Sequence, residues 1–142
     1  MVYVDTSALV ALIVKEPGSA AVADWYASTK SELVSAAWCV TEFGSALGMK
    51  QRTAQLDAAQ AQQAWDRFQR LVASDLRLLP VEPVDFHRAA LLTLNAGSGI
   101  RAGDALHLAC AERAGAKSLA TLDKVMAGNA PRVKLKPVAL SP

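Results

Sequence analysis

Apolar and polar positions follow two rhythms along this chain, short β-type runs and longer helical stripes, and the two take turns. Val2-Tyr3-Val4 is a run of β-formers and reads as a short buried strand. Asp5 follows at once, and Thr6 and Ser7 lead into the apolar run Ala8 to Val14. Leu9, Leu12 and Ile13 fall at helical spacing, so a first helix is expected from about Thr6 to Val14. Lys15-Glu16-Pro17-Gly18 breaks it. Ser19 can cap a second helix, from Ala20 to about Ser28, that carries Val22, Trp25 and Tyr26. Leu33-Val34-Ser35 reads as a second strand, and Trp38 to about Gln51 as a third helix.

Thr53 to Ser74 reads as one long helix, with Leu56, Trp65, Phe68, Leu71 and Val72 inward and Asp57, Asp66, Arg67 and Arg70 as a solvated face. Leu76 to Val81 is a third strand candidate, and Glu82-Pro83 opens a helix that Gly97-Ser98-Gly99 ends. Ile100 to about Gly115 is an alanine-rich helix, and Lys117 to Thr121 another strand. Leu122-Asp123 then leads into a short helical turn, Lys124 to Ala127. The tail from Arg132 to Val138 alternates, which suits an edge strand with lysines in water. Strands alternating with helices argue an α/β fold: a parallel sheet of four to five short strands covered by helices on both faces.

Composition narrows this to one folded domain over 1–142. Charged residues are 20% of the chain and hydrophobic residues 52%, a globular balance. The net charge of +2 neither announces nor opposes a polyanionic partner. Cys39 and Cys110 sit in apolar stretches without metal-type spacing and read as reduced, buried thiols. The N-terminus has no positive n-region, and the run from Ala8 to Val14 is too short to span a membrane. Cytoplasmic residence, away from membranes, is the expectation.

Four carboxylates stand where chemistry is expected. Asp5 and Asp123 each follow a strand and precede a helix; Asp104 sits early in its helix; Glu42 lies on a largely apolar helix face. Each has a plain reading alone. Asp5 suits a helix N-cap, Asp104 suits a helix N-terminus, and Glu42 can be a rim residue. A buried lone charge is costly, so Glu42 needs a partner, a metal or an edge. Together, all four can meet at one edge of the sheet. Carboxylates so crowded repel unless a cation is present, and oxygen ligands select Mg²⁺ or Mn²⁺ over zinc. Such ions can make hydroxide from water and stabilise the leaving oxygen of a phosphodiester.

Competing sites are weak. The chain has no Gly-x-Ser-x-Gly elbow and no Walker-type glycine loop. An aspartyl-phosphate enzyme would need a second Asp two residues after Asp5, and that place is Ser7. His107 reads as a packed helix residue and His87 as a surface one.

Asp5-Thr6-Ser7-Ala8-Leu9, Thr41-Glu42-Phe43, the segment Arg101 to Ala109 and Leu119-Ala120-Thr121-Leu122-Asp123 resemble the PIN-domain ribonucleases. Order, spacing and length are most similar to the VapC toxins of bacterial toxin–antitoxin pairs. The resemblance implies a PIN-like three-layer fold and a metal-dependent endoribonuclease. It implies that Asp5, Glu42, Asp104 and Asp123 bind Mg²⁺ or Mn²⁺ and activate water, with Ser7, or less readily Thr6, supporting the first acid. It also implies an RNA substrate, a VapB-type antitoxin and a homodimer. Met126 stands where relatives often have an aromatic residue. Arg101 and Lys124 are the nearest cations for holding RNA, although ordinary solvated charge explains them equally well. Trp25 and Tyr26 are candidate antitoxin contacts, with core packing the rival reading. Two other functions compete: a non-catalytic PIN-like module that binds RNA or protein, and a structure-specific DNA nuclease. The presence of all four acids speaks against the first, and a chain too short for helical clamps against the second.

Overall fold

Five short strands form one parallel sheet, and helices cover both of its faces. The structure, a computed structural model, describes residues 1–140. Ser141 and Pro142, the last two residues of the domain expected over 1–142, lie outside the described residues. Strands β1 (Val2–Val4), β2 (Leu33–Ala36), β3 (Leu76–Leu79), β4 (Ser118–Ala120) and β5 (Lys136–Pro137) stand in the order β3-β2-β1-β4-β5. Every neighbouring pair is parallel. The chain steps outward from β1 through β2 and β3, then returns to the other side of β1 for β4 and β5. That reversal opens a crevice at the carboxyl ends of β1 and β4, where open parallel sheets bind ligands.

The central strands are apolar on both sides because both faces are covered. Val2, Val4, Leu33, Leu76 and Ala120 join a core with α1 (Thr6–Ile13), α2 (Ser19–Ser28), α3 (Trp38–Arg52) and α4 (Ala58–Ser74). Tyr3, Val34, Ala36 and Leu119 join the opposite core with α5 (Pro83–Leu94), α6 (Ala102–Ala114) and α7 (Lys124–Asn129). The α/β three-layer architecture expected from the sequence is therefore the one observed. On the first face Phe43 of α3 stacks on Phe68 of α4, ring centroids 4.3 Å apart. On the second, buried Asp85 of α5 accepts from Arg113 Nε of α6 at 2.7 Å and from its Nη2 at 2.9 Å. The guanidinium holds the Asp85 carboxyl below its ordinary range.

Several boundaries differ from the expectation. The long helix starts at Ala58 and not at Thr53. Asp57 has extended backbone, accepts from Gln60 N–H at 2.8 Å, and donates its own N–H to the Gln60 side chain at 2.9 Å. It is exposed, as expected, but as the N-cap of a capping box and not as a residue within the helix. Asp66, Arg67 and Arg70 are exposed, as expected. Ser19 opens α2 as its first residue instead of capping it. Its Oγ accepts from Glu16 N–H at 2.7 Å and donates to the Val14 carbonyl at 3.1 Å, tying the turn. β3 stops at Leu79, before Pro80, which has no N–H for a ladder. The tail contributes only Lys136–Pro137 to the sheet, because Ala130–Val133 forms a 3₁₀ turn and Lys134 takes a φ of 60°. Val133 and Leu135 are still buried, and Lys134 and Lys136 exposed. Both cysteines are free and buried. Among the described residues no helix is long and apolar enough to cross a membrane.

Candidate active site

Asp5 closes β1 and caps α1 with the same carboxylate. Its Oδ1 accepts from Ala8 N–H at 3.0 Å and Ser7 Oγ at 2.7 Å, and its Oδ2 accepts from Thr121 Oγ1 at 2.6 Å. Pairing of β1 with β4 brings Thr121 there, and Asp5 N–H donates to the Ala120 carbonyl at 3.1 Å. Ser7 and Thr121 also accept, from Leu122 N–H and Asp123 N–H, each at 2.9 Å. Two hydroxyls thus clamp the loop after β4 onto the start of α1. Asp5 is 2% exposed, and burial raises its carboxyl pKa against the lowering effect of these donors.

Glu42 comes from α3, which starts just past β2 and so lies at the same edge. Its Oε1 accepts from Thr6 Oγ1 at 2.6 Å and hydrogen-bonds His107 Nε2 of α6. Burial acts to raise Glu42, but the His107 and Thr6 hydrogen bonds outweigh it and hold the carboxyl below its ordinary range. Gly103 explains how α6 comes this close. A Cβ at that position would stand 3.3 Å from Glu42 Oε2 and 3.3 Å from Trp38 Nε1.

Asp104 sits in the first turn of α6, half-buried, and Asp123 caps α7 by accepting from Met126 N–H at 2.9 Å. The Asp104 carboxyl is pushed up to about 6, by burial first and then by the charges of Asp123, Asp5 and, more weakly, Glu42. Those three acids therefore act on Asp104 together, in one electrostatic neighbourhood.

The donor chemistry of this neighbourhood fits a hard divalent cation: every acid offers oxygen, and the crowding of like charge is what a cation would relieve. The side-chain positions do not yet form a cage. Among the described residues no three His, Cys, Asp or Glu side chains are arranged to hold a metal ion. Asp5, Glu42 and Asp123 direct oxygens to hydrogen-bond donors of the protein itself.

Other expected residues fall as follows. Thr6 serves Glu42, not Asp5, while Ser7 serves Asp5. Arg101 and Lys124 are exposed at the starts of α6 and α7. Trp25 and Tyr26 are partly buried against the first core, with the Tyr26 hydroxyl donating to Asp75, so packing describes them. Met126 is fully buried in the second core, and His87 is exposed. Thr121, Tyr3 and the bridging role of His107 are absent from the expectation. The signals were a hydroxyl at the end of β4 and a tyrosine in a central strand, whose buried O–H needs a partner.

The family model for the PIN domain matches residues 2–130. No curated protein matches the sequence. Three similar solved structures share the fold. FitAcB from Neisseria gonorrhoeae is 18% identical with a TM-score of 0.74, over 99% of this chain and 98% of that one. VapC20 from Mycobacterium tuberculosis, a sarcin–ricin loop cleaving toxin, is 14% identical with a TM-score of 0.72, over 90% and 94%. VapBC2 from Rickettsia felis, bound to a fragment of promoter DNA, is 18% identical with a TM-score of 0.67, over 96% and 98%.

Proposed function

The chain belongs to the PIN-domain family, and from that premise we propose that it is a metal-dependent endoribonuclease, the toxin of a VapBC-type pair. The observation that carries the reading is the gathering of four acids at the crevice beside β1 and β4, where burial first and then the charges of Asp123, Asp5 and Glu42 push the Asp104 carboxyl up to about 6. Asp5, Glu42, Asp104 and Asp123 are the residues that would hold Mg²⁺ or Mn²⁺. A bound ion there supplies an acidified water and positive charge for the leaving oxygen of a phosphodiester. Ser7 and Thr121 orient Asp5, Thr6 and His107 orient Glu42, and the exposed Arg101 and Lys124 offer contacts to the RNA backbone.

The partner in this reading is a VapB-type antitoxin. An apolar groove between α3, α5 and α6, lined by Trp38, Val81, Phe86 and Leu106 and reaching Gly103, supports a docking surface beside the acids. A homodimer belongs to the same proposal. Val84, Leu91 and Leu94 leave an exposed apolar side on α5, at 58%, 60% and 76% exposure. The protein then works in the cytoplasm, with its RNA. One observation favours a second reading, a non-catalytic PIN-like module that binds RNA or protein: Asp5, Glu42 and Asp123 are turned to protein donors, and the acids form no cage. Retention of all four acids favours catalysis.

Asp5→Asn separates the two. The variant is expected to keep its circular dichroism spectrum and lose RNA cleavage by a hundredfold or more, on the order of a lost essential group in transition-state stabilisation. Full activity in a pure preparation of this variant contradicts the assignment.

A further inference from the structure

A continuous series of hydrogen bonds runs from the backbone of β2 to Glu42. Ala36 N–H donates to the Tyr3 hydroxyl oxygen at 3.0 Å. That hydroxyl, having accepted, has its own proton to give. It lies 2.6 Å from His107 Nδ1, with the two rings edge to face at a centroid distance of 5.7 Å. The other ring nitrogen, Nε2, bonds Glu42 Oε1. An ionised carboxylate only accepts, so the proton in that contact belongs to Nε2. The Glu42 end therefore requires a proton on Nε2, and a bare Nδ1 is the form that lets the Tyr3 hydroxyl donate while it accepts from Ala36 N–H. Tyr3 and His107 are 0% and 1% exposed, and no water is needed to complete the series.

We propose that Tyr3 and His107 are positioning residues. Tyr3 fixes His107 in its Nε2–H tautomer, and His107, together with Thr6, fixes Glu42 through Oε1. Glu42 Oε2 is left beside Gly103, where the absence of a Cβ gives it room. The geometry stands on its own, and its consequence for catalysis rests on the nuclease reading above. The role reaches beyond filling the core, since a buried histidine of the other tautomer would present a bare nitrogen to the carboxylate and repel it. A carboxylate misplaced by about 1 Å costs about a hundredfold in rate.

The test begins with the metal-free, full-length protein labelled with ¹⁵N at histidine. The chain has two histidines, so His107→Gln assigns the signals. Nε2 is expected to carry the proton and Nδ1 to be bare, and Tyr3→Phe is expected to move the Nδ1 resonance. A proton on Nδ1 in the wild type overturns the proposal without any variant having to fold. Kinetics follow on RNA. His107→Leu is expected to lower kcat about tenfold or more with KM within about twofold. His107→Gln, whose amide N–H replaces Nε2–H, is expected to recover most of that loss. A folded His107→Leu with wild-type kcat also overturns it. Failure of the wild type to cleave RNA at all counts against the nuclease reading alone, and the ¹⁵N spectrum then decides the tautomer.

Discussion

At Asp104 the cost of burying a carboxylate, and of setting it among like charges, has a measurable form. The folded chain holds this proton more tightly than the unfolded chain does, with a carboxyl at about 6 against an ordinary value of 3.8. Asp104 thus favours the fold below about pH 4, and that contribution is lost as the pH rises through about 6. Glu42 and Asp85, whose carboxyls are lowered, act the other way and lose their contribution as the pH falls. The Asp104 displacement corresponds to at most about 3 kcal/mol, and solvent screening at a half-exposed group reduces it to about 1 kcal/mol. Asp104→Asn is therefore expected to raise the Tm of metal-free protein by about 3 °C at pH 7.5, with the difference vanishing near pH 4. If the proposed site binds Mg²⁺, the added ion is expected to raise the wild-type Tm more than that of the variant. Calorimetry at the two pH values checks both statements; a variant less stable than the wild type at pH 7.5 contradicts the electrostatic picture.

The helix ends show how the local and the functional readings of an acid coincide. Asp5, Asp57 and Asp123 all cap helices by accepting a backbone N–H three residues on. Only Asp5 and Asp123 follow strands of the switch point, and only they share a neighbourhood with Asp104. Capping and membership of the site are thus not alternatives at those two positions. Asp57→Ala is expected to cost about 1 kcal/mol of stability in urea unfolding and to leave RNA cleavage unchanged. Asp5, Asp104 and Asp123 were legible in the sequence because each stands at or near an element boundary that periodicity marks, and Glu42 because it interrupts a largely apolar helix face. The cap at Asp57 was not, since alanine and glutamine run through that stretch without a glycine or proline to break it. Nor was the service that Thr121 and Tyr3 perform. Thr121 lies 116 residues from Asp5, and Tyr3 lies 104 from His107, so only the pairing of β1 with β4 brings the first pair together, and only the packing of α6 on the sheet the second.

For the molecule as a whole, alternation of strand and helix specified the three layers, while the central place of β1 came only with the structure. That placement unites the two strand-end acids, and α3 and α6, starting at the same edge, add Glu42 and Asp104. The apolar side of α5 belongs to this scale too. The proposed dimer is expected in sedimentation equilibrium, and a double change of Leu91→Asp and Leu94→Asp is expected to give monomer. A wild type that stays monomeric at high micromolar concentration removes the dimer from the account.

The central claim is RNA hydrolysis at the four acids, and the direct measurement is cleavage of total cellular RNA by purified protein with Mg²⁺, with Mn²⁺ and with chelator, beside Asp104→Asn. Discrete fragments that require the cation and disappear in the variant are the expected result, and mapping their ends identifies the target bond. Intact RNA under every condition, from wild-type protein that is folded, contradicts it.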